Sequence, residues 1–142
     1  MEKVKTIAVN VAAITLISIA LFWGNALYRQ YVQFEKGEKG TASGDFPAAV
    51  AGYEAAIHMY TPGSSIVPRS AQKLWDLGQM AEANHDTARA LIAYRALRSS
   101  FYAVAGLYSP GQDWIQRCDS RIAVLVSTSA KATGGTVPEQ GR

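Results

Sequence analysis

The chain has 142 residues, 49% apolar and 18% charged, with 14 basic against 11 acidic side chains and a formal net charge of +3. That length holds one domain with a modest core. Between Gly44 and Thr128 the basic residues Arg69, Lys73, Arg89, Arg95, Arg98, Arg117 and Arg121 are matched by seven acids, so the positive excess lies at the two ends, which argues against nucleic acid as a partner and for lipid headgroups beside the basic flank.

A short basic tail, 1–6, precedes a stretch, 6–28, that carries no charged side chain. As a helix rising ~1.5 Å per residue, Ile7–Leu27 spans about 31 Å, the thickness of a bilayer's hydrocarbon core. A buried helix of a soluble domain would show a polar stripe at helical period, and the only clearly polar side chains here are Asn10, Thr15, Ser18 and Asn25. The Ile, Val, Leu and Phe residues of this stretch favour insertion by about 3–6 kcal/mol before the two Asn side chains subtract from it. Residues 7–28 are therefore predicted to form a transmembrane helix. The rival reading is a cleaved signal peptide, because Gly24-Asn25-Ala26 places small residues where a signal peptidase reads them. Against it, the apolar run exceeds the ~7–15 residues of a secretory core, and Trp23, Tyr28 and Tyr31 suit the interfacial end of a retained span. Lys3 and Lys5 on one side are nearly balanced by Arg29, Lys36 and Lys39 on the other. The basic counts therefore hardly discriminate; the very short basic head fits a signal anchor, and the expectation is an N-terminus in the cytoplasm and a bitopic chain whose helical domain lies outside it, at the plasma (bacterial inner) membrane.

From Tyr31 onward no alternating run is long enough for a strand, and turn signals separate helical patterns. A juxtamembrane helix is expected over 29–43, a helical domain over 44–127 and a disordered tail over 128–142, where apolar content is too low to fold. Asp45 and Pro47 open a helix reaching about Tyr60, with Phe46, Ala49, Val50, Tyr53, Ala56, Ile57 and Tyr60 on one face. Pro68 opens the next, with Ala71, Leu74, Trp75, Gly78 and Ala81 inward; Asp86 caps a long one bearing Ala90, Leu91, Tyr94, Leu97 and Phe101, which could bend near Ser99-Ser100 before Ser109-Pro110-Gly111 ends it. A last helix, Gln112–Ser127, presents Trp114, Ile115, Ile122 and Leu125. The single Cys118 permits no internal disulfide and reads as a small residue on that helix.

Tyr60-Thr61-Pro62-Gly63 recurs 48 residues later as Tyr108-Ser109-Pro110-Gly111, and the same shift lays Val67 on Ile115, Arg69 on Arg117 and Lys73 on Arg121. These are equivalent helix stops in a degenerate repeat. Gly44, Asp45, Phe46, Ala49, Val50, Tyr53, Ala56, Ile57 and Pro62, and then Leu77-Gly78, Ala81, Asp86, Ala90, Leu91, Tyr94 and Leu97, resemble two units of the tetratricopeptide repeat, a 34-residue helical hairpin that stacks into a superhelix. The resemblance covers roughly residues 31–125. It implies an all-α fold in which a transmembrane helix is followed by a small α-solenoid with a capping helix, the membrane helix running into or hinged to the first repeat helix. Two departures stand out: the units are spaced more widely than 34 residues, and His85 replaces the usual turn Gly, so the second turn is expected to be less tightly left-handed.

No catalytic constellation is visible. His58 and His85 stand alone, no Cys/His set has metal spacing, no Gly-rich loop follows a strand, and Glu82 and Asp86 straddle a helix boundary. Hence neither enzymatic activity nor a cofactor is expected. The resemblance implies a surface for other proteins, with Arg69, Gln72, Lys73 and Asp76 as polar candidates on a concave face; Arg95 and Arg98 could read carboxylates, although a solvated face is the plainer account. The expected role is a membrane-anchored adaptor or accessory subunit of an envelope complex. The alternative is an obligate structural subunit packing through its span, with Asn10 as an interhelical hydrogen bonder.

Overall fold

The computed structural model describes residues 2–106 and 110–134, and among them every regular element is a helix. Five follow in order: α1 (Glu2–Ser43), α2 (Phe46–His58), α3 (Ile66–Ala83), α4 (Thr87–Ala103) and α5 (Gln112–Gly134). Each packs on the next, and α2 also touches α4.

The membrane candidate and the first domain helix are one helix of 42 residues, with no hinge between them. Nothing between Leu27 and Gln33 breaks a helix, and the residues that weaken it, Gly37 and Gly40, sit where α2 crosses. A Cβ added at Gly40 would lie 2.4 Å from the Ala49 backbone nitrogen, and one at Gly52 of α2 would lie 2.3 Å from the nitrogen of Gly37. The two backbones therefore touch, and the helix propensity lost at these glycines, ~1 kcal/mol each, is offset by close packing. Residues 2–25 are exposed throughout, so the rest of the chain covers none of that apolar length.

Past Leu27 the character of α1 changes within one turn. Gln30, Phe34, Gly37 and Gly40 recur at steps of three and four and are its buried residues. Gln30 is fully buried: its Nε2 donates to the carbonyls of Ala56 (2.9 Å) and Met59 (3.2 Å), and its Oε1 accepts from the Ser64 hydroxyl. This amide satisfies carbonyls left open at the end of α2 and fixes the α2–α3 turn to α1.

Helix boundaries follow local chemistry closely. Asp45 accepts from the Ala48 N–H (3.1 Å) and Asp86 from the Arg89 N–H (3.0 Å), each capping a first turn. α2 stops at His58, two residues short of Tyr60, and α3 starts at Ile66, so Pro68 lies inside its first turn where a missing N–H does no harm. α4 remains helical through Ser99 and Ser100, whose hydroxyls bond the Ala96 carbonyl, and ends at Ala103, well before Pro110. α5 continues past the expected Ser127 to Gly134, so the first part of the expected tail, 128–134, is helical; 135–142 lie outside the described residues.

The core runs through Phe34, Val50, Tyr53, Ile57, Val67, Leu74, Leu77, Tyr94, Leu97, Phe101, Ile115 and Cys118, with alanines between them. α2, α3, α4 and α5 contribute on the faces expected from periodicity, and burial pushes the Cys118 thiol up to about 12, which makes it a packing residue and a poor nucleophile. One expectation about the turns is corrected. His85 takes φ 58° beside φ 72° at Gly44, and the bond from Asp86 N to Ala81 O (2.8 Å) matches that from Asp45 N to Gly40 O (2.9 Å). The second turn is as left-handed as the first, because the backbone bonds across it require that conformation whatever the side chain.

Candidate interaction surface

A shift of 41 residues superimposes the α1–α2 hairpin on the α3–α4 hairpin. Tyr53 lays its ring on Gly37, and Tyr94 lays its ring on Gly78. Phe34 meets Tyr53 at 5.6 Å and 56°, while Trp75 meets Tyr94 at 4.9 Å and 54°. A small residue on one helix thus admits an aromatic ring from its partner, which meets a second ring in a tilted arrangement within the favourable range of centroid distances. The 48-residue shift holds for the turns instead: Gly63 (φ 80°) and Gly111 (φ 76°) both adopt the left-handed conformation there. The two periods differ because α4 has 17 residues against 13 in α2, and its following turn is also longer.

Each buried tyrosine hands its hydroxyl to a carboxylate that a cation then neutralises. Tyr53 donates to Glu38 Oε1 (2.6 Å), which Lys73 approaches at 2.9 Å. Tyr94 donates to Glu82 Oε1 (2.6 Å), and Arg121 grips both oxygens of that carboxylate. The Tyr53 hydrogen bond, aided by Lys73, holds the Glu38 carboxyl below its usual range against the opposing effect of burial. At Glu82 burial resists ionisation, and the bonds from Arg121 and Tyr94 outweigh it. Burial and Glu38 push Tyr53 up to about 12, and Tyr94 is raised for the same reasons. Neither chain of groups was picked out from the sequence. The usable signal was a Tyr 16 residues after a Gly in both hairpins, with a carboxylate close behind the Gly.

The candidates Arg69, Gln72, Lys73 and Asp76 fall on one face of α3 at steps of three and four. They are brought together, yet much of their bonding capacity is used internally. Arg69 stacks over the Phe34 ring at 4.5 Å, Lys73 pairs with Glu38, and Gln72 donates to Asp76 (2.7 Å). Beside them on α1, the neighbouring Glu35 carboxylate raises the pKa of Tyr31. Arg95 and Arg98 do not join this group. Arg98 is tied to Asp119 of α5 at 2.9 Å, and Arg95 is exposed on α4. Arg89 pairs with Asp86 (3.4 Å) and lies over the Phe46 ring, leaving Glu82 to Arg121. Asn10 is exposed on the uncovered apolar length of α1.

Arg69, though stacked, is exposed, and with Tyr31, Glu35, Gln72 and Asp76 it makes a polar ledge of mixed charge across α1 and α3. Such a ledge can orient a polypeptide by hydrogen bonds. Among the described residues no group of three His, Cys, Asp or Glu side chains is placed to hold a metal ion. No protein-family model, curated protein or solved structure matches this chain.

Proposed function

We propose that this chain is a bitopic membrane protein whose tetratricopeptide-like hairpins serve as an adaptor or accessory subunit of an envelope complex, binding another polypeptide without catalysis of its own. The observation that carries this reading is α1 itself: an uncovered apolar length long enough to cross a bilayer is continuous with a packed set of helical hairpins. The small-to-large pairs Gly37–Tyr53 and Gly78–Tyr94, the two capped Asp turns and the regular order of neighbours support the solenoid likeness. Among the described residues α5 packs against the α3–α4 hairpin and leaves Val124 and Val126 exposed, as expected of an end unit. In this reading the short basic head stays in the cytoplasm and the hairpins lie outside it, as for a signal anchor.

Crosslinking in native membranes from exposed positions of the α1–α3 ledge, such as Gln72, tests the reading. One recurrent polypeptide partner, lost when Arg69 and Asp76 are both replaced by Ala, is the expected outcome. Recovery of the full-length chain in the aqueous fraction after alkaline carbonate extraction would overturn it. A second reading, a structural subunit assembled through its span, is favoured by the exposed amide of Asn10 in the apolar length. Asn10→Leu separates the two, because a structural subunit loses its complex and a tethered adaptor keeps it.

A further inference from the structure

The two turns at one end of the hairpins differ in composition from the two at the other. Residues 55–68 and 99–112 contain no Asp, Glu, Lys or Arg, whereas 35–45 holds Glu35, Lys36, Glu38, Lys39 and Asp45, and 79–89 holds Glu82, Asp86 and Arg89. The uncharged end is the one beside the apolar half of α1. α2 runs back along α1 until Gln30 bonds Ala56 and Met59, and Phe22, Ala26 and Arg29 share a cleft of about 330 Å³ with His58, Met59, Tyr60 and Thr61. Phe22 and Ala26 belong to the stretch long enough to span a bilayer, so the α2–α3 turn lies level with its last turns. The described parts of the α4–α5 turn stand beside it, since Tyr60, Thr61, Gly63 and Ser64 line one cavity with Phe101, Pro110 and Gly111.

We propose that this uncharged end rests in the phospholipid headgroup layer, so that the hairpins stand on the bilayer at a fixed height instead of swinging from a tether. The inference rests on α1 being a membrane span. Three observations choose lipid as the occupant: continuity with the span, the level of Phe22 and Ala26, and the charge asymmetry between the two ends. Tyr60 and Tyr102, the latter 58% exposed, supply the amphipathic rings that settle at a membrane interface, and Arg29 and His58, both exposed and lining the same cleft, suit a lipid phosphate. The opposite end clears the layer. From Leu27 to Ser43, α1 rises ~24 Å, several times the ~5–8 Å depth of one headgroup region.

The test uses full-length protein in phosphatidylcholine–phosphatidylglycerol vesicles carrying headgroup spin labels. Single cysteines replace the exposed residues His58, Ala105 and Asn84 in a Cys118→Ala background, each labelled with a fluorophore and checked for native helix content. Emission should be quenched at 58 and 105 and retained at 84. Equal emission at all three sites, in protein that remains in the pellet after carbonate extraction, would overturn the proposal while leaving the span intact. Extraction into the aqueous phase would overturn the membrane reading beneath it.

Discussion

The first and second hairpins perform the same task with different residues. In α3–α4 the carboxylate that receives the tyrosine hydroxyl is Glu82, four residues after Gly78; in α1–α2 it is Glu38, one residue after Gly37, while Thr41 occupies the place equivalent to Glu82 and also bonds the Tyr53 hydroxyl at 2.9 Å. Positions one and four beyond the glycine lie on neighbouring turns of one helix face, so either can reach the same phenol. The hairpins also differ in closeness. Gly40 and Gly52 bring α1 and α2 into backbone contact, and the equivalent residues of α3–α4 are Ala81 and Ala93. What is kept between the two is a chain of tyrosine, carboxylate and cation together with a capped turn, and not the residue positions that supply them.

The largest asymmetry expected is at the interhelical contact. Gly52→Ala must separate two backbones and should lower stability by about 1–3 kcal/mol or more, whereas Ala93→Gly should cost about 1 kcal/mol, both read from thermal or denaturant unfolding in detergent. Equal losses at the two sites would show that α1 and α2 are not in backbone contact. Next come Tyr53→Phe and Tyr94→Phe, each expected to lose about 1–2 kcal/mol, since a hydrogen bond to a partly buried carboxylate is removed. Tyr53→Phe should be the more damaging, because it also removes the bond with the Thr41 hydroxyl, which keeps only the Gly37 carbonyl.

Titration probes both hairpins at once. Glu38 and Glu82 have depressed pKa values, so their contribution is complete above their ordinary value of 4.5 and is lost as pH falls through the lower folded-state values. The tyrosines have the opposite sign: their contribution is complete below the ordinary 10.0 and is lost as pH rises, for Tyr53 through about 12. Unfolding midpoints should therefore fall at both extremes, and each Tyr→Phe variant should flatten the alkaline limb. The smallest effect belongs to the turns. His85→Gly relieves a non-glycine left-handed residue at about 1 kcal/mol but loosens the unfolded chain by a similar amount, so its midpoint should shift by no more than about 0.5 kcal/mol, against a clear loss for Gly44→Ala.

Much of the fold was legible because helical period and turn chemistry are local. Asp45, Asp86, Pro47 and Pro68 set helix starts, and the inward faces of α2, α3 and α4 repeat every three to four residues. The continuity of α1 was less visible, since Gly37 and Gly40 read as weaknesses until a second helix is laid on them. The extension of α5 to Gly134 runs through small polar residues with no apolar signal of their own. Of the interaction surface, the α3 group was foreseeable from spacing, while its occupation by Phe34 and Glu38 was not, because those residues lie 35 positions away on α1. Gln30 was overlooked for a similar reason. A glutamine just beyond an apolar run looks like solvent-facing chain, and its burial depends on carbonyls from the far end of α2.

With its apolar length in a bilayer, as proposed, the unbroken α1 would set a rotational phase between lipid and hairpins. With ~3.6 residues per turn, inserting one residue between Leu27 and Gln30 would swing every outward-facing group of the domain by about 100° relative to the span, and would lift it only ~1.5 Å. A binding partner that is itself fixed in the same bilayer would then find the wrong side presented to it, with every hairpin contact intact. For the proposed adaptor, azimuth, set by the count of residues in a helix, would matter to specificity as much as the side chains it displays.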